Sequence, residues 1–221
     1  MRIGLIGATG KIGTILSRMI PSMELSGGAS SKTSDAELEK IVVGSDVLID
    51  FSVPDSTLKT IATAARHKVP MVTGTTGLSE KDFARIKEFS RTTPVLHAAN
   101  FSLGIQLMAI LVKKCSDVLA DFDFGILDRH HNRKKDAPSG TALFLADHMS
   151  KPPQIVSLRE GNIHGEHVCD FVGENEMLSV SHRVFNREIF ADGALKCAQW
   201  IVGKSPRLYS MKDYLEDVTN V

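Results

Sequence analysis

The chain has 221 residues, of which 43% are hydrophobic and 24% charged, and its 26 Lys and Arg side chains equal its 26 Asp and Glu side chains in number. Such a chain can bury one sizeable core or two modest ones, and its neutral balance excludes bulk electrostatic attraction to nucleic acid or to an acidic membrane. It has no signal-peptide architecture and no apolar run of about 18 residues, and its cysteines form no CxxC pair, so we expect a soluble, cytoplasmic protein with buried thiols.

The first hundred residues alternate between apolar strands and amphipathic helices. A strand opens the chain, and after a glycine loop apolar residues recur at helical spacing from Ile12 to Ile20. LSGGASSK supplies a second strand, and a capped helix is predicted from Ser34 to about Val43. The next elements are a strand VLIDFS, a helix DSTLKTIATAARHK, a strand PMVTGTTG, a helix SEKDFARIKEFSR and a strand TPVLHAANF. This alternation predicts a parallel sheet.

From about residue 102 the pattern changes. A long helix through Met108 and Val112 is followed by a strand FDFGILD, a basic segment and a helix that opens at Ser139. Strand-like runs then follow, namely QIVSLRE, HVCDFVG and MLSVSHRVF, before ADGALKCAQWIVGK returns to helical spacing. The pattern predicts an α/β protein, with a Rossmann-type parallel sheet domain formed by residues 1–101 and 187–221 and an inserted α+β domain of residues 102–186.

A glycine-rich loop joins the first strand to the first helix. It has the spacing G-x-x-G-x-x-G, in which glycines let the backbone approach a pyrophosphate and the free N–H groups of the helix start bind its charge. The spacing alone is also compatible with a tight turn, but the strand before it and the βαβ alternation after it favour dinucleotide binding. The predicted contacts are Gly7, Ala8, Thr9, Gly10, Lys11 and Ile12.

The preference between the two nicotinamide cofactors depends on the end of the second strand. Sites that prefer NAD place an acidic residue there, about 20 residues after the glycine motif, to bind the ribose 2′-hydroxyl. This chain has Ser30, Ser31 and Lys32 instead. Hydroxyls and cations, with Lys11 and Lys32 as candidates, could hold a 2′-phosphate, so we predict that NADPH is used at least as well as NADH. The alternative is that Lys32 is a solvated loop residue.

Further cofactor contacts are predicted at the ends of later strands, because ligands of open parallel sheets bind beyond the carboxyl ends. Asp50-Phe51-Ser52 ends one such strand. Each of these segments could also be an ordinary turn. The other candidates are Gly74, Thr75, Thr76, Ala98, Ala99, Asn100 and Phe101.

The segment RHHNRKKDAPSGT, residues 129–141, places six basic or imidazole side chains in seven positions. A solvated basic loop is the ordinary interpretation of such a run. The alternative is an anion site, in which Lys134 provides charge and, if burial and nearby cations make its ammonium more acidic, a proton. His130 and His131 should point to opposite sides of a strand end and so differ in role. Ser139, Gly140 and Thr141 begin a helix whose N–H groups, with the Thr141 hydroxyl, could bind a carboxylate.

The motifs GATGKIG, DFSVP, VTGTTG, AANFSLG, HHNRKKDAPSGTA, REGNIHGEH and FADGALKCAQWI together resemble the 4-hydroxy-tetrahydrodipicolinate reductase family, long called dihydrodipicolinate reductases. The resemblance implies reduction of a cyclic imine dicarboxylate by NADH or NADPH in lysine and diaminopimelate biosynthesis. It implies that His130 is the acid/base residue, that His131 binds substrate and that Lys134 donates a proton. It also implies that the inserted domain binds the substrate and builds a homotetramer.

Some residues fit the resemblance less closely or allow another interpretation. Asp128 stands where the family often has a glutamate, two positions before the histidine pair. His164 and His167 could suggest a metal site, but no third ligand lies at a suitable spacing, so we expect no metal. The alternatives to the reductase are a nicotinamide-binding redox sensor and another Rossmann oxidoreductase such as a homoserine-type dehydrogenase.

Overall fold

A computed structural model describes residues 1–21 and 24–219. The chain divides into two compact units, of which the first comprises residues 1–101 and 190–221 and the second comprises residues 102–189. Within the described residues no helix is both long and apolar enough to span a membrane.

The helices and strands follow one another in chain order as β1 (Ile3–Ile6), α1 (Lys11–Met19), β2 (Leu25–Ala29), α2 (Asp35–Val43), β3 (Val47–Asp50), α3 (Pro54–His67), β4 (Met71–Thr73), α4 (Glu80–Phe89), β5 (Val95–His97), α5 (Leu103–Val118), β6 (Asp123–His130), α6 (Gly140–Ala146), β7 (Gln154–Arg159), β8 (Gly165–Val172), β9 (Met177–Val184), α7 (Glu188–Ile201), β10 (Leu208–Tyr209) and α8 (Met211–Thr219).

The first unit contains a six-stranded sheet with the order β10-β5-β4-β3-β1-β2, in which every pairing is parallel. Strands β1, β3 and β4 are buried along their whole length, as expected for a parallel sheet covered on both faces. Ser34 and Ser79 begin their helices with capping boxes, as predicted. The Rossmann-like sheet predicted from the sequence is therefore confirmed. β10 and α8 were not predicted from the sequence.

The second unit contains a separate four-stranded sheet with the order β7-β6-β8-β9. β6 pairs parallel with β7 and antiparallel with β8, so the sheet is mixed, as an α+β domain requires. α5 and α6 supply apolar side chains to the core of this unit, which also contains Phe124, Ile126 and Phe171 from the strands. Along β6 buried and partly exposed residues alternate, so every second side chain points into this core.

Candidate active site

The inner face of the second unit's sheet carries a cluster of polar side chains. Asp128 and His130 point inward from β6, whereas Arg129 between them points to the other face and pairs with Glu160 and Glu166. Asp128 is completely buried and His130 is 8% exposed. The strand register places one row of residues across all four strands, namely Ser157, Asp128, His167 and His182.

One carboxylate oxygen of Asp128 receives three donors. The backbone N–H of Ser139 lies 2.8 Å from Oδ2, the Ser157 hydroxyl lies 3.1 Å from it, and Nη2 of Arg159 lies 2.9 Å from it. These donors come from the start of α6 and from β7. The oxygen therefore joins three segments of the unit at a single buried point.

The other carboxylate oxygen of Asp128 faces two imidazoles. Oδ1 lies 2.9 Å from Nδ1 of His130 and 3.4 Å from Nε2 of His167. The two rings meet edge to face with their centroids 5.2 Å apart. The pKa of Asp128 lies far below its usual range, because the contacts with His130, His167, the Ser139 N–H and Arg159 together outweigh the burial that would otherwise raise it. The network therefore holds an anion.

Arg159 links the basic loop to Asp128 through hydrogen bonds. Its Nη1 donates to the Asp128 carbonyl at 3.0 Å, and its Nη2 donates to the Asp136 carbonyl at 2.6 Å. The loop is also held by the N–H of His131, which donates to the Ile163 carbonyl at 2.7 Å. The basic segment is therefore an ordered part of the unit, since its backbone is bonded at both ends.

Within the loop, Lys134 and His131 have different surroundings. Nζ of Lys134 lies 2.8 Å from Oδ2 of Asp136, so the lysine has a carboxylate partner that the sequence analysis did not anticipate. Burial lowers the pKa of His131, and the charges of Arg133, Arg187 and its other basic neighbours lower it further. The imidazole of His131 thus loses its proton more readily than a free histidine, whereas Lys134 is held in an ion pair.

Ser139 is the N-cap of α6, and both of its hydrogen-bonding groups serve the scaffold. Its hydroxyl accepts from the Ala142 N–H at 3.1 Å and lies 3.2 Å from Nε2 of His167, while its own N–H is bonded to Asp128. Gly140 and Thr141 form the first turn of the helix, and their contact with a carboxylate stays a prediction.

The other basic side chains of the segment face away from the network or into solvent. Arg129 lies on the opposite face of β6, as noted above, and Arg133 donates to Oδ1 of Asn162 at 2.7 Å. Lys135 is exposed. The charge run thus divides into scaffold, surface and candidate site residues, which composition alone could not separate.

Asp128, His130 and His167 each offer a ligand atom, and these atoms all lie within 4.8 Å of one another. This corrects the spacing argument made from sequence, because the partners of His167 come from another strand, while His164 is exposed. The guanidinium of Arg159 on the same carboxylate places a fixed positive charge beside the cluster, which opposes a divalent cation. The arrangement suits a proton-binding network better than a metal centre.

In the first unit, the glycine loop lies at the carboxyl edge of the parallel sheet. The N–H groups of Gly7 and Ala8 donate to the Ala29 carbonyl at 2.9 and 3.0 Å, which fixes the loop against the end of β2. Gly7 has φ of +78°, and a Cβ there would meet the Phe51 backbone, so no larger residue fits. Gly10 is the N-cap of α1, whose first turn contains Lys11 and Ile12.

The ends of β3 and β4 and the start of α3 are joined by the buried carboxyl group of Asp50. It accepts from the hydroxyls of Thr57 at 2.6 Å, Thr73 at 2.8 Å and Thr75 at 3.1 Å, and from the N–H and hydroxyl of Ser52 at 3.0 and 2.5 Å. The Thr75 side chain is thereby committed to the core.

The remaining strand-end candidates differ in exposure. Phe101 is 1% exposed and packs edge to face against Phe51, so its side chain belongs to the core, and Ala98 is also buried. Gly74 packs closely against the Phe51 ring. Any contact of Thr75 or Phe101 with a cofactor must therefore come from the backbone. Thr76 and Ala99 are exposed, and Asn100 is partly exposed.

A cavity of about 260 Å³ adjoins the end of β2. Ser30 and Ser31 line it, as does Lys59, which is ion-paired with Asp35. Lys32 is exposed outside the lining. Of these lining residues, Ser30 and Ser31 were predicted from the sequence as cofactor contacts, whereas Lys59, which lies on α3, was not.

The residues missed in the second unit are Ser157, Arg159 and the role of His167. The sequence did allow one of the contacts in this unit to be predicted. Side chains alternate along a strand, so Asp128 and His130, two residues apart, lie on the same face of β6. The neighbouring strands could not be chosen, because nothing in the sequence of β6 specifies which later strands pair with it.

Residues 1–101 match the family model described as Dihydrodipicolinate reductase, N-terminus, and residues 104–215 match that described as Dihydrodipicolinate reductase, C-terminus. A 4-hydroxy-tetrahydrodipicolinate reductase of Rickettsia bellii is 37% identical, with 100% of this chain and 96% of the relative covered. One from Caldanaerobacter subterraneus is 36% identical, with 98% of each covered. A dipicolinate-bound dihydrodipicolinate reductase from Paenisporosarcina sp. TG-14 has the same fold, with a TM-score of 0.81, 21% identity and 95% and 97% of the two chains covered.

Proposed function

The chain belongs to the dihydrodipicolinate reductase family, and on that premise we propose that it reduces 4-hydroxy-tetrahydrodipicolinate to tetrahydrodipicolinate with a nicotinamide cofactor, in lysine and diaminopimelate biosynthesis. The first unit binds the cofactor and the second binds the substrate. Two observations together carry the proposal. Both family models match the chain, and in the second unit His130 contacts the buried carboxylate of Asp128, beside an ordered loop that contains His131 and Lys134.

The second unit provides charge and proton transfer for a dicarboxylate. Lys134 and the first turn of α6, at Gly140 and Thr141, bind the carboxylates, while Ser139 fixes the position of that turn. His131 donates a hydrogen bond to the substrate. His130 is the acid/base residue, and Lys134 delivers a proton as the ring is reduced. The 4-hydroxyl leaves as water together with a proton from an adjacent ring carbon, while the hydride and one proton add to the ring, so two hydrogens are lost and two are gained.

The first unit fits a dinucleotide on its own geometry. The cradle at Gly7 would be filled by a Cβ, and the helix start at Gly10 presents backbone N–H groups at the sheet edge. When bound, the reduced nicotinamide supplies the hydride. The chain's residues hold the pyrophosphate at Ala8, Thr9, Lys11 and Ile12, and the loop at Thr76 and Asn100 contacts the nicotinamide side.

We propose that NADPH is used at least as well as NADH. The support is that Ser30, Ser31 and Lys32 include no acidic side chain and that the side chain of Lys32 is exposed. The KM of each cofactor decides this preference. Lys32→Ala should raise the KM for NADPH and leave that for NADH unchanged, whereas an equal effect on both would remove Lys32 from the proposal.

The enzyme assembles, in this proposal, as a homotetramer through the sheets of the second unit. Val156 and Leu158 on the edge strand β7 are 48% and 37% exposed, which gives the outer face of this sheet apolar area for an interface. Light scattering measures the mass directly. The three unpaired cysteines fit action in the reducing cytoplasm.

The direct test supplies the purified protein with freshly generated substrate and follows the absorbance of NADPH and NADH. Lys134→Ala should lower kcat/KM by about 10²- to 10⁴-fold, the range expected for loss of a proton donor. Lys135→Ala is the matched control, since this neighbour is exposed, and it should stay close to wild type. A protein that binds the cofactor but never oxidises it would be a sensor, and the proposal would then fail.

A further inference from the structure

We propose that Asp128 is a positioning residue, which fixes the proton of His130 on Nδ1 and so leaves Nε2 as the nitrogen that exchanges a proton with the substrate. This inference rests on the proposed acid/base role of His130. It assigns a function to a fully buried anion that the binding of cofactor and substrate does not otherwise use.

The carboxylate of Asp128 faces one nitrogen of the His130 imidazole. Nδ1 of His130 lies 2.9 Å from Oδ1 of Asp128, a close contact outside ideal hydrogen-bond alignment, and neither atom makes an aligned hydrogen bond within the described part of the chain. A carboxylate can only accept, so the nitrogen that faces it carries the hydrogen in both the neutral and the charged ring. The proton that can be given away is therefore the one on Nε2.

Gly165 leaves space around Nε2 of His130. A Cβ built on Gly165 would lie 3.1 Å from Nε2 of His130 and 3.5 Å from Cδ2. Such a contact is tighter than most real Cβ contacts allow, so the glycine keeps the reactive edge of the ring uncrowded. The edge-to-face contact with His167 supports the ring on another side. Asp128, His167 and Gly165 together define one orientation of the imidazole.

An amide in place of the Asp128 carboxylate should change the tautomer of His130. Oδ2 of Asp128 is surrounded only by donors, from Ser139, Ser157 and Arg159. In Asp128→Asn the amide oxygen must therefore occupy that position, and the NH₂ group must point at His130. An NH₂ group donates to Nδ1, which moves the imidazole hydrogen to Nε2 in the neutral ring. The substitution thus reverses the tautomer with almost no change in shape.

The experiment combines kinetics with ¹⁵N NMR of the imidazoles near neutral pH, with the His130 signals assigned by their loss in His130→Gln. Wild type should show the Nδ1–H tautomer, and Asp128→Asn should show Nε2–H. We expect kcat to fall on the order of 10- to 100-fold, as for other partners that orient a functional histidine, with KM changed far less. Asp128→Glu keeps the charge and should restore the Nδ1–H tautomer.

Asp170→Asn is the matched control, because Asp170 is a carboxylate on β8 that bonds Ser179 outside the network. It should leave both tautomer and kcat unchanged. An Nδ1–H tautomer or a wild-type kcat in Asp128→Asn would overturn the proposal. If His130→Gln keeps its activity, the acid/base role fails separately, and the NMR result still decides whether Asp128 sets the tautomer.

A second variant keeps the proposal testable if Asp128→Asn does not fold. Gly165→Ala leaves the carboxylate intact but crowds Nε2, so it should lower kcat while the Nδ1–H tautomer remains. Unchanged turnover in a folded Gly165→Ala protein would show that Nε2 is not the reacting nitrogen, and it would overturn the proposal.

Discussion

Asp50 in the first unit and Asp128 in the second are both completely buried, and both join several segments at the end of a strand. The hydrogen bonds described for Asp50 all come from hydroxyls and a backbone amide. Asp128 instead combines an amide and a hydroxyl with the guanidinium of Arg159 and two imidazoles. Neutral donors are enough to hold strand ends in place. Around Asp128 the structure adds a guanidinium and two titratable rings to such donors.

The largest effect is expected when the charged groups around Asp128 are disrupted. Arg159→Met leaves the anion of Asp128 buried without its cation, and removal of one partner of a buried pair destabilises by about 3–5 kcal/mol. Hydrogen–deuterium exchange of peptides from β6 and β8 reports on this unit. Arg183→Met is the control, because Arg183 pairs with Glu166 but its side chain is 58% exposed, so it should cost less than about 1 kcal/mol. Equal losses in both variants would contradict the distinction.

A smaller effect is expected when one of the hydroxyl groups around Asp50 is removed. Thr57→Val removes one hydroxyl from Asp50 with little change in shape and should destabilise by about 2 kcal/mol. The fluorescence of Trp200, the single tryptophan, reports urea unfolding of the first unit. Thr60→Val on the same helix is the control. Its buried hydroxyl has no hydrogen-bond partner among the described residues, so its removal should be neutral or stabilising.

The smallest effect concerns pH and acts in both units. Burial lowers the pKa of His97 in the first unit and of His182 in the second. Below an unfolded pKa of about 6.5 the unfolded chain therefore binds more protons than the folded one, and stability is lost as the pH falls through that value. The carboxylates with lowered pKa, such as Asp128, act only at more acidic pH. Urea midpoints should fall between pH 7.5 and 5.5, and His97→Gln should reduce the fall seen by Trp200 fluorescence.

Local pattern predicts much of this molecule. The alternation of strands and helices gave the parallel sheet, and serine followed by an acidic residue gave the capped helices at Ser34 and Ser79. The resemblance of the motifs to a reductase family was confirmed by relatives that match the chain along its whole length. These features depend on residues close together in the chain.

The partners of the two buried carboxylates could not be predicted in the same way. Arg159 lies 31 residues after Asp128, and Thr75 lies 25 residues after Asp50, so both pairs depend on how strands are registered in the sheets. β10 was missed because two residues are too few to show a period. The folded sheets, rather than the motifs, bring these residues together.

Because inward and outward side chains alternate along β6, the position of Asp128 and His130 depends on whether an odd or an even number of residues is inserted before them. A single residue inserted between Phe124 and Asp128 would turn Asp128 and His130 outward and carry Arg129 into the apolar interior. Two inserted residues would preserve the facing and only displace the pair along the strand. Length variation among related chains should therefore be tolerated in steps of two within this strand, and single-residue changes should be confined to the loops that flank it.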